Sequence, residues 1–122
     1  MNASEIIYQT LSQIVDGKAY PLFVPESDSL SVPYLVYTPV SSVPVQTLDG
    51  ISGDEWVRVQ IDIYHSDYDV LLSLYNQAIS ALQNKISLKV FGTSNQSVDD
   101  GLYRMMFECE FWSKNQILPT AP

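Results

Sequence analysis

Cysteine, histidine and basic side chains are all scarce in this 122-residue sequence: one cysteine, one histidine, and six Lys and Arg against fourteen Asp and Glu. With Cys109 alone, neither an intrachain disulfide nor a multi-cysteine metal site can form, as is usual for a protein kept in a reducing cytoplasm. The formal net charge of −8 argues against a sequence-independent grip on nucleic acid, because such binding runs on Lys and Arg neutralising phosphates. No apolar run approaches the roughly 18 residues that cross a bilayer. The opening MNASEIIYQTLSQIV also lacks the basic start and continuous apolar stretch of a signal peptide. A soluble protein without a membrane partner is therefore expected. There is no Walker loop, no Gly-x-Gly-x-x-Gly and no serine nucleophile elbow, and no internal repeat or low-complexity block.

What the sequence does have is a composition 46% hydrophobic, enough for one domain that buries roughly two-thirds of the surface its unfolded chain exposes. That domain is expected over 1–113, with 114–122 as a polar, proline-bearing and flexible tail. Ser4 is a reasonable N-cap for a short helix in which Ile7, Leu11 and Ile14 recur at helical spacing, until Asp16-Gly17 stops the pattern. Residues 18–32 read as an ordered connection or short edge strand, and 33–40 as a strand bounded by Pro33 and Pro39. Residues 41–54 read as a long arm, because Asp49-Gly50 and Gly53 favour turns, yet Val43, Val45, Leu48 and Ile51 are apolar and want a partner.

The stretch DEWVRVQIDIYHSDYD, 54–69, is a strand running into a helix. Val57, Val59, Ile61 and Ile63 share one face, and Trp56, Arg58, Gln60, Asp62 and Tyr64 the other. The helix begins at Ser66, with Asp67 and Asp69 in its first turn, where acidic groups suit the positive end of the helix dipole. Its buried stripe is Leu71, Tyr75, Ala78 and Leu82. A strand over 86–92, a polar loop and a strand over 102–112 form a long hairpin. In the last strand Tyr103, Met105, Phe107, Cys109 and Phe111 share one face; Arg104, Glu108, Glu110 and Trp112 share the other with Leu102 and Met106. The expected fold is α+β, a two-layer sandwich with a mostly antiparallel sheet of four to five strands and both helices on one face. The second face is then left uncovered. Arg58 and Arg104 are placed to pair with Asp62, Glu108 or Glu110 there, at about 0–1 kcal/mol for each exposed pair.

Catalytic constellations are thin. His65 sits where strand meets helix and reads as a turn residue; as a general base or metal ligand it has only Asp67 and Asp69 beside it. Cys109 lies on an apolar strand face between two glutamates, a setting that raises a thiol pKa and suits a small buried hydrophobe better than a nucleophile. Glu108 and Glu110, with Asp62 nearby, make a carboxylate pair conceivable, against the plainer reading of a solvated or lumen-facing acidic patch. Asp67-x-Asp69 and Asp99-Asp100 are explained by helix capping and hairpin-turn chemistry without Mg²⁺. No enzyme activity and no cofactor are expected.

Several pieces taken in order, AYPLFVP (19–25), VPYLVYTPVS (32–41), TLDG (47–50), RVQIDIYHSDYD (58–69) with a following helix, and FECEFW (107–112), resemble one family. The chain looks like the small tail-completion or tail-terminator proteins of long-tailed bacteriophages, similar in role to the lambda-type terminator. The resemblance spans about residues 4–113. It implies a structural virion protein without catalytic residues: a homo-oligomeric ring, usually a hexamer, assembled in the bacterial host cytoplasm. Such a ring caps the tail tube, ends its polymerisation and joins tail to head by meeting the head-connector protein.

On that reading Arg58, Gln60, Asp62, Tyr64, Arg104, Glu108 and Glu110 are subunit-interface or lumen candidates. Val45, Leu48, Asp49, Gly50 and Ile51 form a docking arm for a neighbour or the tail tube protein. DNA is only passing cargo, moving through an acidic channel to which it does not adhere. Substituting Arg58 or Asp62 is expected to leave folding nearly intact and lower tail assembly. The rival readings are a neck or head-completion adaptor, which needs the same ring, and an acidic DNA-mimic inhibitor, which would gather its carboxylates on one surface. A third is a small metal-dependent hydrolase resting on Asp62, Glu108 and His65, which metal-dependent thermal stabilisation would reveal.

Overall fold

A computed structural model describes residues 2–25, 31–48, 50–86, 89–92 and 94–114; for 45–47, 50–53, 89–90 and 114 it describes the backbone alone. Helix α1 (Ala3–Leu11) starts two residues earlier than the Ser4 cap implies, because Asn2 caps it: its side-chain oxygen accepts the Glu5 N–H at 2.9 Å. Asn and Ser are comparable caps, and the one whose oxygen reaches the free N–H groups wins. A 3-10 turn (Ser12–Val15) follows and ends where Asp16 and Gly17 both adopt positive φ, 52° and 80°.

Strand β1 (Ala19–Pro21) pairs in parallel with β2 (Tyr34–Thr47), and β2 pairs antiparallel with β3 (Gly50–His65). Helix α2 (Tyr68–Lys85) is capped by Asp67, whose side chain accepts the Val70 N–H at 3.2 Å. Then β4 (Lys89–Phe91) and β5 (Asn95–Asp99) both pair with the same edge of β6 (Leu102–Lys114), and β6 pairs with β3. The sheet therefore has the order β1-β2-β3-β6, with β4 and β5 sharing the last place. All neighbours are antiparallel except β1 and β2. The α+β two-layer architecture read from the sequence is the one present.

The core lies between one sheet face and both helices. Val57, Val59, Ile61 and Ile63 of β3 stand opposite Phe111, Cys109, Phe107 and Met105 of β6, and all eight are buried. Ile7, Leu11 and Val15 close the core from one side, and Leu71, Leu74, Ala78 and Leu82 from the other. The stripe of α2 thus uses Leu74 where the spacing suggested Tyr75, which is half-buried and meets Phe107 edge-on at 5.2 Å. Cys109 is fully buried in this layer. Among the described residues, no helix is long and apolar enough to cross a membrane.

Two stretches depart from the expected outline. Apart from Asp49, which lies outside the described residues, residues 41–54 are not a turn-rich arm but the continuation of both strands, with Thr47 opposite Gly50. Among the described residues β1 pairs with β2 only at Leu35–Tyr37, so beyond Tyr37 β2 is an edge strand there and can spare the donors that Pro39 and Pro44 lack. The expected loop 93–101 contains β5, closed onto β6 by Asp100 and Gly101 at φ 53° and 81°. Two consecutive left-handed residues are what a tight hairpin turn requires.

Candidate functional site: the open sheet face

The sheet face away from the helices is built row by row from the register. Tyr34, Tyr64 and Arg104 form one row; Val36, Asp62 and Met106 the next; then Thr38, Gln60 and Glu108. At Val40 a bulge adds one residue to β2, since Pro39 faces Val59 and Ser41 faces Arg58. Side chains alternate across a strand, so one added residue exchanges the faces. Ser41 therefore joins Arg58 and Glu110, and Val43 joins Trp56 and Trp112.

The structure brings five of the seven face candidates into direct polar contact. Arg104 donates to Asp62 through Nε at 2.9 Å and Nη2 at 2.8 Å, and Gln60 Nε2 donates to the other Asp62 oxygen at 3.0 Å. Arg58 Nε lies 3.3 Å from Glu108 Oε2. Glu110 takes its hydrogen bond from Trp56 Nε1 at 2.9 Å, and Tyr64 stacks on Tyr34 with centroids 4.8 Å apart. The three polar contacts between β3 and β6 are all diagonal, each β3 residue reaching the β6 residue two places before its direct partner. Sheet twist shortens one diagonal relative to the other.

This face is not bare along its length. Asp62 is only 4% exposed and Tyr34 is buried, so the expectation that Asp62 can be replaced without structural cost is corrected: it is a buried anion held by a guanidinium and an amide. Arg58 is different, with its side chain 42% exposed. Burial tends to lower the Arg104 pKa, but the hydrogen bond and charge of Asp62, with Tyr64 and Asp99, outweigh it and hold the guanidinium above its ordinary value.

Burial likewise pushes Tyr34, Tyr37 and Tyr64 above 10.0. Neighbouring Tyr64, Asp99 and Asp100 add to Tyr34, and Tyr8 adds to Tyr37. At Tyr64, Arg104 opposes the shift while Asp62 and Asp99 add to it. Because the folded values are raised, the unfolded chain ionises first. The stabilisation that these tyrosines contribute is fully present below about pH 10 and is lost as pH rises through that region. Urea midpoints at pH 9 and pH 11 should show a clear fall that is smaller in Tyr64→Phe; equal midpoints at the two pH values would contradict the assignment.

Towards the β2–β3 turn the face becomes apolar. Trp56 meets Trp112 edge-on at 5.3 Å, and Val43 and Trp112 are 61% and 45% exposed. Beyond Asp54 with Lys114, the last β3–β6 pair among the described residues, the hairpin runs on by roughly 13 Å at strand rise. Leu48 is fully exposed at its tip. Of the docking-arm candidates, Val45, Gly50 and Ile51 are placed by backbone only, and Asp49 lies outside the described residues, as does the tail from 115.

The residues of the hydrolase reading are not brought together. His65 is opposite Tyr103 and its Nδ1 accepts the Asp67 N–H at 2.8 Å, which is the turn role, while Asp62 and Glu108 project from the other face. Among the described residues, no group of three His, Cys, Asp or Glu side chains is placed to hold a metal ion. The sequence places Trp56 and Trp112 on this face without singling them out as site residues, and it misses that Val43 joins them, which needs the Val40 bulge to be known. Trp112 itself carries a signal, two places beyond Glu110 on the same face.

Neither a protein-family model nor a curated protein sequence matches the chain. Among solved structures, one chain titled as the virion of a native gene transfer agent (GTA) particle superposes with a TM-score of 0.62. The match covers 93% of this chain and 96% of that one, at 12% sequence identity, so the two share a fold.

Proposed function

We propose that this protein is a structural component of a virion, acting as a homo-oligomeric ring, of six copies, that caps a phage-like tail tube and joins it to the head connector. The observation that carries the reading is a sheet covered by helices, among the described residues, on one face only, whose other face combines paired charges, exposed Val43 and Trp112 beside half-buried Trp56, and a projecting hairpin. Alternating aromatic and charged groups of this kind are what polar protein interfaces use. The fold shared over nearly all of both chains with a virion protein of a gene transfer agent supports the same assignment. In a ring, one patch meets a different patch and the contacts must close. The hairpin arm is one such patch and the open face the other, and an acidic chain at −8 lets DNA pass without adhering.

Light scattering combined with negative-stain microscopy tests this directly. Rings of six chain masses are expected, alone or with the tube protein; a monomer at high concentration, with tube protein present, sinks the reading. Arg58→Ala is the companion variant. Its ion pair with Glu108 is partly exposed, so stability should change by about 0–1 kcal/mol, while ring formation or tail assembly falls. Full complementation by Arg58→Ala would remove this face from the interface.

A further inference from the structure

At the end of the open face away from the arm lies a hollow of about 460 Å³, to which the ring reading assigns no particular occupant. The stacked Tyr34 and Tyr64 line it, and the β5–β6 turn supplies Asp99 and Asp100 on one side. On the opposite side stands Phe23, 67% exposed. Its position is set by a tight turn in which Phe23 N–H donates to the Pro21 carbonyl at 2.7 Å and Leu22 N–H donates to Tyr37 at 2.9 Å. Leu22 sits there at φ 69°, a region that side chains larger than glycine rarely adopt. Strain of this kind persists only where the surroundings enforce it. Here the enforced turn keeps an aromatic ring out of the core and at the lip of the hollow.

The charge of the lining is unbalanced. Asp62 is neutralised by Arg104, and the described lining has no other basic side chain for Asp99 and Asp100. With Arg104 the one cation facing three carboxylates in the described lining, a positively charged occupant is favoured, and it meets aromatic surface on entering.

We infer that this hollow receives an arginine side chain from a basic segment of another protein. A guanidinium is flat enough to lie against an aromatic ring while its edge donates to carboxylates. Nucleic acid is excluded by the sign of the charge. A second copy of this chain is a poor donor, since it has only six Lys and Arg, of which Arg58 and Arg104 are already paired. The inference rests on the virion reading only in that the partner belongs to the same particle. It places a basic neighbour at the end of the sheet opposite the hairpin arm.

The probe is a blocked pentapeptide, Gly-Gly-Arg-Gly-Gly, titrated into the full chain and followed by amide chemical shifts. The controls are the citrulline peptide, which is the neutral isostere, and spermidine. Shifts should centre on Phe23, Tyr64 and Leu102 and be absent with citrulline. The double variant Asp99→Asn with Asp100→Asn should weaken binding at least about tenfold, and it keeps the turn because asparagine tolerates positive φ. Shifts elsewhere, equal binding of the citrulline peptide or unchanged affinity in the variant overturn the inference. Tighter binding of spermidine would overturn it in favour of a polyamine site. Light scattering on the same samples separates the two readings: a monomer that still takes the arginine peptide defeats the ring and leaves the hollow standing.

Discussion

Phe107→Ala is expected to lower the stability of the domain by about 3–5 kcal/mol, the cost of emptying a buried aromatic site. Phe107 is 1% exposed, faces Ile61 across the β3–β6 ladder and meets Tyr75 of α2 edge-on at 5.2 Å. It therefore joins the two layers where both are fully packed. The cavity has little freedom to collapse, since α2 is held by the Asp67 cap at one end and by buried Leu82 near the other. Native domains have only about 5–15 kcal/mol in total, so the loss is a large share. It should appear as a fall of about 10–20 °C in calorimetric Tm. Leu48→Ala, at the exposed arm tip, is the control and should leave Tm unchanged. A fall below 3 °C for Phe107→Ala would mean that this layer is not the core.

The layer containing Phe107 was legible in the sequence because its period is two and both central strands repeat it. Val57 to Ile63 and Met105 to Phe111 alternate without interruption, and any half-buried strand pair must alternate in that way. The outer strands are legible only in part: 33–40 and 86–92 read as strands, while the far half of β2 and β5 do not. β2 passes through Pro39, a bulge at Val40 and Pro44, each of which breaks a local strand signal. They are tolerated only because the strand is at an edge, a fact about its neighbours rather than its own residues. β5 reads NQSVD, polar enough to pass for a loop, and is a strand because β6 offers it a ladder. At the open face, the residue types announced a lattice of charges. Which carboxylate met which cation depended on register and twist. That is why the burial of Asp62 escaped a reading in which charged residues are exposed by default.

Asp62 is where that difference has the largest consequence. Asp62→Leu removes the acceptor of Arg104 and Gln60 together, leaving a guanidinium whose side chain is 30% exposed without its anion. Breaking a fully buried pair costs about 3–5 kcal/mol. Water reaches part of Arg104, so about 2–3 kcal/mol is expected. Arg104→Met should cost at least as much, because it strands the more deeply buried partner, with side-chain exposure of 6%. The double variant Asp62→Leu with Arg104→Met removes both charges and should return to within about 1 kcal/mol of the parent, a large coupling energy by urea unfolding. Additive single losses would show that the two side chains act independently, contrary to the 2.8 Å contact. The double variant also divides structure from assembly. If it folds and still forms rings, the pair supports the sheet from within and the subunit contact lies with Arg58, Trp56 and Trp112. If it folds and stays monomeric, the buried pair itself shapes the surface that a neighbour meets.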